Sequence, residues 1–331
     1  PAPGEICWWK VRVWNERGEV SQWSEPAFFV AGIAAEADWN GAAWMGADWF
    51  EDFSGPLPLF RKALDLPAPP RRAVLHVCAL GHFDGWINGA RVGDAALDPA
   101  VTDYGKRGLT RAFDVTGLLR AGRNAVGIRL ARGWHNAISR RAGLESPVVR
   151  VRLQAWLKNG EQVECVSGGD WKMAPSEVTP IGKMTSGDYG GETIDAQKTI
   201  ENWTDPDYSD SDWKPAALPA VPPIAFTPQA VEPNRVIDTF PAVSVSEPEP
   251  GLWLIDMGRN YTGRLRLALG GAVGPGGEVK LEYADCKRPD GSWQTYSQRD
   301  VYIARGDGTD VFENRFAYHA FRWVLVRGLA R

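Results

Sequence analysis

Asp205, Asp207 and Ser209 stand at the 1-3-5 spacing with which an EF-hand loop offers oxygen ligands to calcium. The sixth position, however, is Asp210 where the turn needs glycine, and the twelfth is Ala216 where a bidentate glutamate belongs. An EF-hand is excluded; the stretch reads as a solvated acidic loop, with a looser calcium site as the alternative. The four histidines, His76, His82, His135 and His319, include no pair with metal-ligand spacing. No nucleophile elbow, phosphate-binding loop or dinucleotide glycine pattern occurs. Glycoside hydrolysis would need two carboxylates facing each other across a sugar. Glu192 and Asp195, in GGETIDAQ, are the acids that invite the question. They are expected to anchor loops by accepting backbone N–H bonds, and no catalytic residue and no metal ligand is assigned. Carbohydrate binding has better candidates. Asp84 and Trp86 should share one face of a strand, with Phe83, Gly85 and Ile87 on the other. Trp134, His135 and Asn136 follow another strand and bring an aromatic ring, an imidazole and an amide together. The competing expectation is that Trp86 and Trp134 pack a core or an interface.

The elements that would position these groups are short strands. Thirty-six glycines and 24 prolines punctuate alternating segments across 331 residues, and no amphipathic helix longer than two or three turns stands out. The fold class is all-β, with tandem β-sandwich or jelly-roll domains. Asn88-Gly89, between alternating runs, is the strongest hairpin signal, and Asn159-Gly160 is a second turn. VVRVRLQAWL places Val149, Val151, Leu153 and Ala155 on one side. Residues 57–205 read as a jelly roll, 217–331 as a second β-sandwich, and 32–56 as a linker. Residues 1–31 hold two strands with one greasy face, too few for a domain, so their partner strands are expected upstream of Pro1. Sixteen tryptophans suit sugar faces as well as sandwich cores. A net charge of −4 gives no basic footprint for nucleic acid or an anionic membrane. Cys7, Cys78, Cys165 and Cys286 are far apart, which favours buried free thiols and leaves one or two long-range disulfides open.

The motifs then carry a resemblance. Residues 1–31 resemble the last strands of a fibronectin type III module. Gly81, Asn88-Gly89, Val92-Gly93-Asp94, Pro99, Thr102-Asp103-Tyr104, Lys106-Arg107, Asp114-Val115-Thr116, Gly122, Asn124 and Gly133-Trp134 resemble the N-terminal jelly roll of bacterial α-L-rhamnosidases. Val101 and His135 depart from that pattern, standing where the family has tryptophan and tyrosine. Parts of it recur in the jelly rolls of β-galactosidases and β-mannosidases. The segment from Gly251 to Gly271 resembles the family's next domain, with Arg259 for glutamine. So does the ending at Phe316, Tyr318, His319, Phe321 and Arg322. GGETIDAQ also matches, with Ile194 for tyrosine and Gln197 for arginine.

The resemblance implies an inverting hydrolase that releases terminal α-L-rhamnosyl residues in a downstream (α/α)6 barrel, absent from this chain. Its catalytic acid and base would lie on that barrel, and no position here matches them. The implied partners are L-rhamnose-containing glycosides or polysaccharides and the barrel of the same polypeptide, with no nucleic acid and no membrane. No cofactor is required, and calcium is admitted as a ligand of the jelly roll. The alternatives are a stand-alone carbohydrate-binding protein and the accessory region of another glycosidase such as a β-galactosidase. The compartment stays open between bacterial cytoplasm and periplasm or exterior.

Overall fold

Alternating apolar and polar residues dictate strands here, and the chain follows that instruction almost throughout. The computed structural model describes residues 1–49, 55–133, 146–183 and 185–330, and these contain strands and short 3-10 turns but no α-helix. No helix among them is long and apolar enough to cross a membrane.

Two sheets face each other in the first sandwich. One orders Gln162–Val166, Val148–Trp156, Arg72–Leu80, Arg107–Asp114 and Ala225–Pro228. The other orders Lys214–Pro215, Lys172–Pro175, Pro58–Leu66, Gly122–Ala131, His82–Ile87 and Ala90–Arg91. Val149, Val151, Leu153 and Ala155 do share a face, and they meet Leu75, Val77, Val126, Ile128 and Leu130 in one core. Burying each large aliphatic side chain is worth about 1.5–3 kcal/mol, so this alternation decides which way each strand faces. Asn88 (φ 51°) and Gly89 (φ 81°) both adopt the left-handed conformation that a two-residue turn needs, and Ile87 pairs with Ala90 across it. The Asn88 amide is satisfied by the Leu118 carbonyl and by Asn124 Oδ1, both at 2.8 Å.

The second sheet is assembled from distant parts of the chain. Its order is Val178–Ile181, Gly191–Asp195, Arg299–Ile303, Glu278–Ala284, His319–Arg327, Leu252–Gly263 and Ser244–Glu249. A short ladder of Arg266–Ala268 with Val311–Glu313 stands apart from it, and Leu267 and Phe312 join the core of Leu281, Tyr283, Val324 and Val326. The strands therefore do not divide between 205 and 217 as the sequence led us to expect. Val178–Ile181 and Gly191–Asp195 join the second sheet, the latter pairing in parallel with Arg299–Ile303. Residues 214–228 return to the first sandwich at two sheet edges. Acidic, turn-rich composition marks the chain's exposed corners, not which sheet the flanking strands will enter.

Residues 32–49, expected as linker, cover the first sandwich. Ile33, Trp39 and Ala42 are buried against Cys78 and Phe226. Arg150, on the outer face of its strand, donates to the Ala42 carbonyl at 2.6 Å and forks onto Glu36 at 2.7 and 2.9 Å. The four cysteines are free; Cys78 and Cys165 are buried, Cys7 is half-buried and Cys286 exposed. At the chain's start, Ile6–Trp9 pairs antiparallel with Ala27–Val30. The Arg12 guanidinium sits 5.0 Å from the Trp14 ring and 4.7 Å from that of Trp23. The hydroxyls of Ser21 and Ser24 accept the N–H groups of Val13 and Val11.

Candidate functional site

The His82–Ile87 strand presents its residues as alternation requires. Phe83 and Ile87 enter the first core, while His82, Asp84 and Trp86 face the other way. Asp84 pairs with Arg91 at 2.5 Å. Trp86 is half-buried, its ring edge-on to Trp203 at 5.4 Å, within an aromatic cluster that includes Trp213 and Tyr208. The Arg129 guanidinium lies 5.7 Å from the Trp86 ring. Trp134, His135 and Asn136 lie outside the described residues, although Gly133 just before them is described. Asp84 and Trp86 thus share one face of the strand, as expected, with Trp86 against Trp203 and Asp84 paired with Arg91.

The acidic stretch is held by a cation of the protein itself. Arg61, fully buried on the Pro58–Leu66 strand, reaches out of the sandwich to it. Its guanidinium donates to the carbonyls of Trp203 (2.9 Å) and Asp205 (2.8 Å) and pairs with the Asp210 carboxylate. Among the described residues, no group of three or more His, Cys, Asp or Glu gathers closely enough to hold a metal ion.

A cavity of about 490 Å³ opens instead where the sandwiches meet. His82, at the start of its strand, and Arg132, just after the Gly122–Ala131 strand, supply one wall. Tyr189, Glu192, Asp285, Tyr296, Gln298 and the segment Phe316–Ala320 supply the other. The segment is held in place from behind. The Glu192 carboxylate accepts the N–H groups of Arg315, Phe316 (3.1 Å) and Ala317 (3.3 Å), the anchoring that the sequence suggested. Asp195 accepts the Gln197 N–H at 3.2 Å and pairs with Lys198.

Beneath Glu192 lies Asp300, also buried. One Asp300 oxygen accepts the Glu192 N–H at 2.7 Å. The other takes the Tyr283 hydroxyl (2.6 Å), the Asn314 amide (2.7 Å) and His319 Nε2 (2.9 Å). The His319 ring stacks on Tyr283 at 3.9 Å. Gly191 is where the chain must pass closest: a Cβ there would lie 1.8 Å from the Arg299 carbonyl oxygen. The quoted motifs thus meet in space, Glu192 of GGETIDAQ gripping the loop that carries Phe316, Tyr318 and His319. Arg322 of the same ending forks onto Asp256 at 2.9 and 3.0 Å.

Burial, and secondarily the charge of Asp300, push the Glu192 carboxyl up to about 7, while backbone N–H groups pull it down. Folding therefore takes up a proton here between the ordinary carboxylate range and about pH 7. This stabilises the fold below that window and is lost as pH rises through it. The urea midpoint of the wild-type chain should accordingly fall, relative to Glu192→Gln, between pH 5 and pH 8. A constant difference between the two would show that folding does not raise the Glu192 carboxyl. Burial holds the His82 imidazole down to about 4, so it is neutral around pH 7.

Arg132, Tyr189, Asp285, Tyr296 and Gln298 were not singled out by the sequence. Only Tyr189, beside Gly190-Gly191 in a strand-like run, carried a local signal. The others come from loops that nothing local ties to a cavity.

Three family models match the chain. The α-L-rhamnosidase N-terminal domain covers residues 68–238, the bacterial α-L-rhamnosidase concanavalin-like domain covers 246–331, and the Rha78A-like N-terminal immunoglobulin domain covers 1–35. An α-L-rhamnosidase of Formosa agariphila is 28% identical over 98% of this chain and 37% of its own length. The solved α-L-rhamnosidase of Dictyoglumus thermophilum is 29% identical, covering 99% of this chain and 38% of that one at a TM-score of 0.86. That of Streptomyces avermitilis, solved in complex with L-rhamnose, is 31% identical over 83% of this chain and 27% of its own, at a TM-score of 0.75. The chain thus spans well under half the length of the relatives it matches.

Proposed function

Because this chain belongs to the bacterial α-L-rhamnosidase family, we propose that its sandwiches are the non-catalytic front region of a glycoside hydrolase. In this reading the parent enzyme removes terminal α-L-rhamnosyl residues by inversion in a downstream (α/α)6 barrel, and the sandwiches support and position that barrel. The observation that carries the reading is an apolar face left open beside the second sheet. Val236, Ile237, Val243 and Val245 are 67%, 95%, 72% and 58% exposed. The last lies on Ser244–Glu249, an edge strand paired on one side only. An open edge flanked by large apolar side chains favours association, and a helical domain of the same polypeptide is the occupant proposed. The buried carboxylates of Glu192, Asp195, Asp300 and Asp310 serve internal hydrogen bonds, which fits a scaffold. A sugar contact on the jelly roll, with Asp84, Trp86 and the Trp134–Asn136 run as its candidates and calcium as an optional ligand, belongs to the same proposal.

The test is hydrolysis of p-nitrophenyl α-L-rhamnoside by the purified chain, alongside calorimetric titration with L-rhamnose with and without calcium. No turnover is expected. Turnover that survives repurification would place catalysis within the sandwiches and end the scaffold reading.

A further inference from the structure

The inter-sandwich cavity differs from a packing void. Voids that stay empty in proteins are apolar, whereas His82 Nδ1 and Asp285 Oδ1 are buried on this cavity's wall with no hydrogen-bond partner among the described residues. Buried polar atoms are nearly always paired, so each such orphan asks for an explanation. The nearly buried Arg132 guanidinium lies on the same wall and, among the described residues, donates a long bond of 3.4 Å to the Gly182 carbonyl. At the mouth, Tyr189 and Tyr296 meet edge to face at 6.2 Å and remain 47% and 43% exposed. Tyr296 (φ 50°) and Ser297 (φ 55°) are consecutive non-glycine residues in the left-handed region, a conformation that costs free energy and gathers at ligand sites. Leu57, Pro180 and Phe316 give the cavity an apolar floor.

We propose that this cavity binds one neutral pyranose, a hexose or 6-deoxyhexose. A sugar hydroxyl both donates and accepts, so adjacent hydroxyls can serve an acceptor such as Asp285 Oδ1 and donors such as Arg132 together. Neutral His82 can give or take a hydrogen bond according to its tautomer. The C–H face of the ring suits the tyrosines and the apolar floor. The volume falls within the range of about 300–1,000 Å³ usual for small-ligand sites. Arg132 faces the Asp285 and Glu192 carboxyls across the cavity, which leaves no excess of positive charge to favour an anionic ligand over a neutral one. The proposal rests on this lining alone, independent of whether the parent enzyme cleaves rhamnosides, and it differs in place from the contact at Asp84 and Trp86.

The test is calorimetric titration of the full chain with L-rhamnose, D-galactose, D-glucose and D-glucuronate. At least one neutral sugar should bind with 1:1 stoichiometry. Tyr296→Ala and Asp285→Asn should each weaken that binding by about tenfold or more, the scale of one lost stacking or hydrogen-bonding contact. Both variants should keep the wild-type melting temperature within a few degrees, and Asp84→Ala should keep the affinity. Loss of binding in Asp84→Ala with none in Tyr296→Ala would move the site to the jelly-roll strand. Binding of glucuronate alone would overturn neutrality, and binding of no sugar would overturn the proposal, whatever the outcome of the hydrolysis assay.

Discussion

Asp300→Ala should cost the chain about 3–5 kcal/mol of stability, the range for breaking a buried, hydrogen-bonded charged network. The carboxylate is 1% exposed and is shared by four donors from four places: the Glu192 N–H, the Tyr283 hydroxyl, the Asn314 amide and His319. Alanine would strand all of them in a site that water reaches poorly, and each orphaned donor carries its own desolvation cost. Asn314 also accepts the Leu265 N–H, so the damage should spread to the small ladder behind the sheet. Asp300→Asn keeps the shape but turns an NH2 group toward donors, and about half the loss is expected. Urea unfolding followed by tryptophan fluorescence measures both. A loss below about 1 kcal/mol for the alanine variant would mean that the network contributes little beyond neutral hydrogen bonds.

Arg129→Ala should have an effect of similar size by a different route. Arg129 lies on the Gly122–Ala131 strand of the first sandwich and donates to both oxygens of Glu177, at 2.9 and 3.1 Å, with both side chains nearly buried. Glu177 stands where the chain leaves that sandwich: its carbonyl accepts the Asp195 N–H, and Val178 next to it begins the other sheet. Removing the guanidinium leaves a carboxylate buried and unpaired, for an expected loss of about 3–5 kcal/mol. Arg129→Met combined with Glu177→Leu removes both charges and keeps the volume, so that double variant should unfold within about 1 kcal/mol of wild type. If it proved as unstable as Arg129→Ala, the pair would matter for geometry at this junction more than for charge.

Local chemistry explains what could be read from the sequence. Asn88-Gly89 needs only two adjacent residues to be recognised as a turn, and the opposite facing of Phe83 and Trp86 needs only a period of two. The all-β class follows from the same short-range signals. For Trp86, alternation fixes the face, while the partner on that face, Trp203, lies more than a hundred residues away on a loop. Asp300 looks like any charged residue at the start of a strand, because its four donors come from segments that only the folded sheet brings together. The acidic loop, read from its sequence as solvated with a looser calcium site as the alternative, is gripped by Arg61 from a core strand more than a hundred residues earlier, a partner that no local pattern announces. The boundary near residue 210 was drawn from composition, and composition does not record that a chain will cross between sheets twice.

That double crossing has a consequence for how the protein is made. Glu192 and Asp300 are 108 residues apart. At about 5–20 residues per second of synthesis, the Gly191–Asp195 strand waits roughly 5–20 s before its partner leaves the ribosome. The first sandwich, in turn, lacks its Ala225–Pro228 edge until more than thirty further residues have followed Asp195. During that interval the nascent chain carries a strand that has its hairpin partner Val178–Ile181 but not the rest of its sheet, with the edge meant for Arg299–Ile303 open. Slowed elongation between residues 195 and 300 should therefore raise the aggregated fraction in cell-free translation, and added chaperone should restore the soluble yield.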